Sequence, residues 1–200
     1  MKINLVLLRH GESLANQDHQ IYYKIPDNQI PLTEKGKEQA KLAGKELQDD
    51  SERSPFKIIH SPWQRAKDTA LEVSSIIRYS QIIEDPLIFE ISLMHSFVDM
   101  KTRIDFISEE KDSFGFFWYK EGTSESYADV YQRARLFVQD LKLNKYDFYD
   151  NENVLIVSHG VFLNMVRAVI HNYPIEKILK MRWLENCQPA YETLTLYKGM

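Results

Sequence analysis

A single cysteine, Cys187, stands among the 200 residues, so no disulfide can form within the chain and a reducing compartment is the simplest setting. Thiol-based phosphate chemistry is also excluded: such a nucleophile needs an arginine six positions on, where the chain has Thr193. Cys187 is read as a small apolar filler. Long apolar runs are missing too. The first ends at Arg9, too short for the core of a secretion signal, and none approaches the ~18 residues of a membrane span. A cytoplasmic protein with no membrane partner is expected. Basic charge is not in excess: 25 Lys and Arg against 29 Asp and Glu leave −4. That argues against a general nucleic-acid binder, because phosphate backbones are held by net basic surfaces. Gly and Pro, at 7 each, are too few for a disordered chain. His19, His60 and His171 form no metal-ligand pattern with their neighbours and are read as structural or surface residues, so no metal is expected.

What is present is an alternation of strands and helices. "INLVLL" is apolar on both faces, as in a buried parallel strand. Pro26 and Pro31 mark a loop, and Thr33 opens a helix whose apolar stripe is Ala40, Ala43 and Leu47, ended by "DDSERSP". "FKIIH" is a second strand. After it, Ser61, Pro62 and Gln64 predict a capping box for a helix that buries Ala66, Ala70, Val73 and Ile77. "QIIED" reads as a short strand and "PLIFEI" as an extended segment. Residues 92–122, with their aromatic cluster, read as a lid-like insertion. Ser126 and Asp129 start a helix with Val130, Ala134, Phe137 and Leu141 inward and with Arg133 and Arg135 on a solvated face. "VLIV", an apolar helix from Val161 to about His171, and the alternating strand "ETLTLY" complete the chain. The pattern predicts one α/β domain over 1–200, a three-layer sandwich with a mostly parallel central sheet flanked by helices.

In such sheets ligands bind beyond the carboxyl ends of the strands. Three predicted strand ends carry reactive residues: Arg9-His10-Gly11, Ser61 with Arg65, and Ser158-His159-Gly160. If those strands are parallel neighbours, two histidines and two arginines face one small volume. Two guanidinium groups held close repel, and a phosphoryl group answers that repulsion with oxygens that match their planar donors. The same positive field keeps a nearby histidine neutral, with a ring nitrogen free to attack phosphorus. His10 is the candidate nucleophile.

These residues resemble the histidine phosphatase superfamily, also called the phosphoglycerate mutase-like family. The likeness spans nearly the whole chain: "LLRHGES" with Asn16, "IPLTEKGKEQA" from Ile30, "SPWQRAKDTA" from Ser61, Glu90, "GTSESYADVYQRA" from Gly122, and "VLIVSHG" from Val154. No one piece is specific, but six in order are. The resemblance implies a phosphoglycerate mutase-like fold in which His10 is phosphorylated, Arg9, Arg65 and His159 hold the transferring group, Asn16 adds a hydrogen bond, and Glu90 is the proton donor. It also implies that Gly11 lets the backbone approach the ligand and that Gly160 shapes the pocket. Around Glu90 the chain departs from the family, with Met94 where a glycine is usual and His95 as a substitute acid close by. Cofactor-dependent mutases of the family carry a Gly-Trp-Asp patch and a Glu-Arg-His-Tyr-Gly run, where this chain has "HQIYYKIPDNQ" and "IFEISLM". The block from Phe114 to Val138 is instead similar to broad-specificity phosphatases, whose aromatic lid lines the leaving-group side; Tyr22, Tyr23, Trp118 and Tyr119 are candidates for that contact. The expected function is metal-independent, cofactor-free hydrolysis of a small phosphate monoester. The alternatives are mutase-type phosphoryl transfer and a non-catalytic phosphate-ligand binding protein.

Overall fold

The computed structural model describes residues 1–92, 115–120 and 122–197. Met94 and His95, and residues 93–114 and 121 of the expected lid, lie outside the described residues. The first strand, β1 (Lys2–Arg9), has Leu5, Leu7 and Leu8 fully buried, as its unbroken apolar run requires. A short helix α1 (Leu14–Gln17) and a single turn at His19–Tyr23 occupy the polar stretch that follows. Thr33 caps α2 (Glu34–Arg53) by accepting from the Gly36 amide, and Pro55 follows its end. This helix runs through the "DDSER" stretch before it stops.

Next come β2 (Phe56–His60), α3 (Gln64–Ser74) and β3 (Tyr79–Glu84). The capping box expected from Ser61 and Gln64 does not form; α3 begins at Gln64 with Trp63 as its cap residue. The Ser61 hydroxyl has another partner, described below. "PLIFEI" is extended only in part, because Asp85 caps a tight turn at Pro86–Ile88. The reciprocal Ser126–Asp129 box does form and opens α4 (Tyr127–Lys142). Then follow β4 (Glu152–Ser158), α5 (Gly160–Ile170), the short α6 (Ile175–Ile178) and β5 (Ala190–Thr195).

The five strands lie in the order β3-β2-β4-β1-β5. β1, β2, β3 and β4 pair in parallel and β5 closes the edge antiparallel to β1. Side-chain alternation then separates two cores. Ile3, Leu5 and Leu7 of β1, with Val154 and Ile156 of β4, pack on α4 and α5. Val6, Leu8, Leu155 and Val157 pack on Ala40, Ala43 and Leu47 of α2 and on Ala66, Ala70 and Val73 of α3, with Cys187 filling the same side. Each Leu or Ile so buried contributes about 1.5–3 kcal/mol. The result is the three-layer, mostly parallel sandwich that the sequence predicts.

β4 enters the sheet between β1 and β2, so the three functional strand ends become neighbours. Arg9 pairs with Ser158 and His60 with Val157, which leaves residues 10, 159 and 61 one step past the sheet at one level. The His10 amide still donates to the Ser158 carbonyl at 2.9 Å and the Ser61 amide to Val157 at 3.0 Å. These bonds fix where each following side chain begins.

Candidate active site

His10 is buried and its ring is held at both nitrogens. Nδ1 lies 2.7 Å from the Gly11 carbonyl, which can only accept, so Nδ1 carries the proton. Nε2 then holds a lone pair, toward which Arg65 Nε donates at 3.2 Å. Burial, then the Arg65 charge, hold the His10 pKa well below its usual 6.5, against the pull of the Gly11 bond. The ring is a neutral imidazole with its free nitrogen facing a guanidinium.

Arg65 is itself buried and reaches His10 from the first turn of α3. One terminal nitrogen donates to both the backbone carbonyl and the carboxylate of Asp27, each at 2.8 Å, and the guanidinium lies over Trp63 at 4.7 Å. Asp27 escaped the sequence reading, because an acid in a proline-flanked loop carries no periodic signal. Arg9, at the end of β1, donates to the Leu184 carbonyl at 3.1 Å, and its buried Nε has no partner among the described residues. Burial lowers its pKa, while Glu90 and Glu185 oppose that and Arg65 adds to it.

His159 is completely buried, its ring centroid 5.1 Å from that of His10. Its Nε2 is 2.8 Å from the Ser61 hydroxyl, and its buried Nδ1 has no partner among the described residues. This contact explains the missing cap on α3: Ser61 serves the ring of His159, and its oxygen accepts from the Trp63 amide at 3.3 Å. Burial first and Arg65 second push the His159 pKa well below 6.5. His10, Arg65 and His159 thus form one contiguous group, and Arg9 is within electrostatic reach of Arg65.

Glu90 sits on the amino end of α5. Its carboxylate accepts from the amides of Ile91 at 2.9 Å, Val161 at 3.2 Å and Phe162 at 3.3 Å. Burial nonetheless raises its pKa above 4.5, opposed by the Ile91 amide, by Arg65 and by the two helix amides. Asn16 is exposed, and its carbonyl oxygen accepts from the Ser13 amide at 2.9 Å. Tyr22 stands within electrostatic reach of Asp27, Arg65, Glu90 and Arg9, whereas Tyr23 and Trp118 are exposed and Phe117 is core. His60 is buried against the Ser61 carbonyl and His171 bonds Glu192 on the surface.

A Cβ on Gly11 would meet the Gly36 carbonyl oxygen at 2.3 Å, so this glycine lets α2 approach the turn after β1. One reading needs correction. Arg133 is not solvated, unlike the exposed Arg135. It is buried between α4 and the segment that carries Glu90. The sequence reading also missed the stretch before β5. Asn186 donates to the His10 carbonyl at 2.7 Å, and Trp183 lies over Arg9 at 5.7 Å and would be struck by a Cβ on Gly160 at 3.0 Å. The missing side chain at Gly160 thus leaves room for that tryptophan beside Arg9. The signal available was an aromatic-polar run, "RWLENC", between two apolar elements.

Among the described residues no group of three or more His, Cys, Asp or Glu is arranged to hold a metal ion, and no helix is long and apolar enough to cross a membrane. The arrangement sets a neutral His10 imidazole, unprotonated at Nε2, beside the Arg65 guanidinium and near a buried carboxyl, Glu90, whose pKa burial raises.

A phosphoglycerate mutase-like protein of Arabidopsis thaliana is 29% identical over 204 residues, covering 92% of this chain and 71% of its own. Phosphoserine phosphatase 1 of Hydrogenobacter thermophilus is 27% identical over 195 residues, covering 94% of this chain and 83% of its own. The solved structure of YhfR from Bacillus stearothermophilus superposes with a TM-score of 0.74 at 27% identity, covering 94% of this chain and 90% of its own. The family model of the histidine phosphatase superfamily, branch 1, matches residues 5–193, and the chain belongs to that superfamily.

Proposed function

We propose that the protein hydrolyses small phosphate monoesters through a phosphohistidine on His10, without metal or cofactor. The observation that carries this reading is the His10 ring itself, protonated at Nδ1 and unprotonated at the nitrogen that faces Arg65. The phosphoryl group lodges among Arg9, Arg65 and His159, with Asn16 contributing its NH₂. Arg65 turns its Nε from the His10 lone pair to a phosphoryl oxygen. Ser61 donates to His159 Nε2, so that His159 offers Nδ1–H to another.

His10 Nε2 attacks phosphorus as the ester P–O bond breaks, and protonated Glu90 gives its proton to the departing alkoxide. Water then attacks the phosphohistidine and passes its proton back to Glu90; the P–N bond breaks and orthophosphate leaves. General acid–base help of this kind contributes ~10²–10⁴-fold, or about 3–5 kcal/mol. The larger share comes from the fixed donors around the charge that builds on phosphorus.

Rapid quenching with a ³²P-labelled ester tests the reading. An acid-labile, base-stable adduct is expected in the wild type and absent in His10→Ala; turnover retained by that variant would remove His10 from the role. A chelator should leave hydrolysis of p-nitrophenyl phosphate unchanged. The likeness to a protein named as phosphoglycerate mutase-like supports a second reading, in which the phosphoryl group returns to a glycerate acceptor. A mutase assay with and without bisphosphoglycerate separates the two. The relative named as a phosphoserine phosphatase supports hydrolysis.

A further inference from the structure

Arg133 makes an unusual set of contacts for a side chain on an amphipathic helix. From α4 its guanidinium donates to the carbonyls of Leu87 at 2.8 Å and Phe89 at 2.7 Å, and more weakly to Glu90 at 3.4 Å. It stacks over the Phe89 ring at 3.7 Å and lies 5.2 Å from the centroid of Phe162, the α5 residue whose amide holds the Glu90 carboxylate. Its charge is answered by Glu125 through two bonds, Nε at 3.0 Å and Nη2 at 2.8 Å. Glu125 is in turn tied to the far end of the same segment: it accepts from the Ser92 amide at 2.9 Å, while its own amide donates to the Ser92 carbonyl at 2.8 Å.

One ion pair, its guanidinium buried and its carboxylate half-buried, therefore holds residues 87–92 at both ends, with Glu90 between the two attachments. A purely structural clamp would not need to be charged, since an apolar pair of similar volume stabilises as well or better. What a charged, forked clamp supplies is direction. Planar donors fix several backbone carbonyls at once, and at Glu90 the segment itself lies in neither strand nor helix.

We infer that Arg133, oriented by Glu125, is the positioning residue that sets the Glu90 carboxyl at the reacting oxygen. This rests on the reading of Glu90 as proton donor. The clamp matters most where proton transfer matters most. A p-nitrophenolate leaves without help, whereas an alkoxide needs its proton during P–O cleavage.

The test compares kcat/KM for p-nitrophenyl phosphate and for glycerol 2-phosphate in wild type, Glu125→Gln, Arg133→Lys and Glu90→Gln. Glu125→Gln and Arg133→Lys should lower the alkyl-ester value about tenfold or more while the aryl-ester value stays within about threefold. Inhibition by orthophosphate should not change. An equal loss on both esters, or none, overturns the inference. Should Glu90→Gln itself show no preference for the aryl ester, the proton-donor reading fails instead. A readout free of turnover accompanies this: amide hydrogen exchange at Ile91, Val161 and Phe162 should quicken in Glu125→Gln. Unchanged exchange at all three would also overturn it.

Discussion

Arg65 joins three functions in one guanidinium: it faces the His10 nitrogen, anchors on Asp27 and lies against Trp63. A lysine has one charged nitrogen and cannot keep the Asp27 anchor while donating toward His10. Arg65→Lys should therefore lose about 10²-fold or more in kcat/KM, the scale of removing one donor to a developing oxyanion. Steady-state kinetics within twofold of wild type would take Arg65 out of the phosphate site. The histidines make a second prediction, in stability. Both His10 and His159 have folded pKa values well below the 6.5 of an unfolded chain, so below that pH the unfolded state binds more protons. Their neutral, buried state contributes stability that is present above pH 6.5 and is lost as pH falls beneath it. Glu90 acts in the opposite sense: its raised pKa lets the folded state keep a proton above pH 4.5, and that contribution fades as pH rises through the folded value. Urea midpoints of wild type should fall between pH 7 and 5, and those of His159→Asn should fall less. Parallel curves for the two proteins would refute the assignment.

At the scale of elements, the glycine pair Gly11 and Gly36 controls how α2 meets the turn after His10. A Cβ on Gly36 would stand 2.0 Å from the Glu12 carbonyl oxygen, and backbone on both sides leaves nothing flexible to yield. Gly36→Ala should therefore cost about 2–3 kcal/mol by urea denaturation, in the range of overpacked cores, and displace the turn enough to lower turnover. An unchanged midpoint would mean the helix can slide. This contact also shows what a sequence discloses. "TEKGKEQA" announces a capped helix, because a Thr cap and an apolar stripe are local chemistry. That its glycine abuts the next loop is a tertiary fact with no local signature. The same divide explains Ser61 and Arg133. The first has the spacing of a cap residue, but His159, 98 positions away, engages its hydroxyl. The second follows helical periodicity to a polar face, yet three carbonyls and Glu125 cover it. The signal that was available is the carboxylate eight residues before it, Glu125, within the very block that carried the family likeness.

In the whole molecule, strand order does the assembling. The sequence shows three strand ends bearing arginine and histidine, and the general rule for open α/β sheets says where ligands go. That was enough to bring His10, Arg65 and His159 together correctly, because β4 lies between β1 and β2 and the strand registers end level. Asp27 and the Trp183–Asn186 stretch come from loops, whose paths no periodicity records. The assembled site has a consequence for the folded state. The Arg65 charge helps to depress the pKa of Arg9, His10 and His159, in each case after burial. An anion that binds there relieves all three and binds only the folded chain, so it must stabilise it by mass action. At a concentration 100 times its dissociation constant, orthophosphate should add about 2.7 kcal/mol. For a domain of this size that is a rise in Tm of about 5–10 °C. Chloride at matched ionic strength should give little of it, because it lacks the tetrahedral oxygens that planar donors grip. Arg65→Ala should abolish most of the rise while still unfolding cooperatively. A Tm increase equal in chloride, or intact in the variant, would mean that the stabilising anion binds elsewhere and that the strand ends do not form a phosphate site.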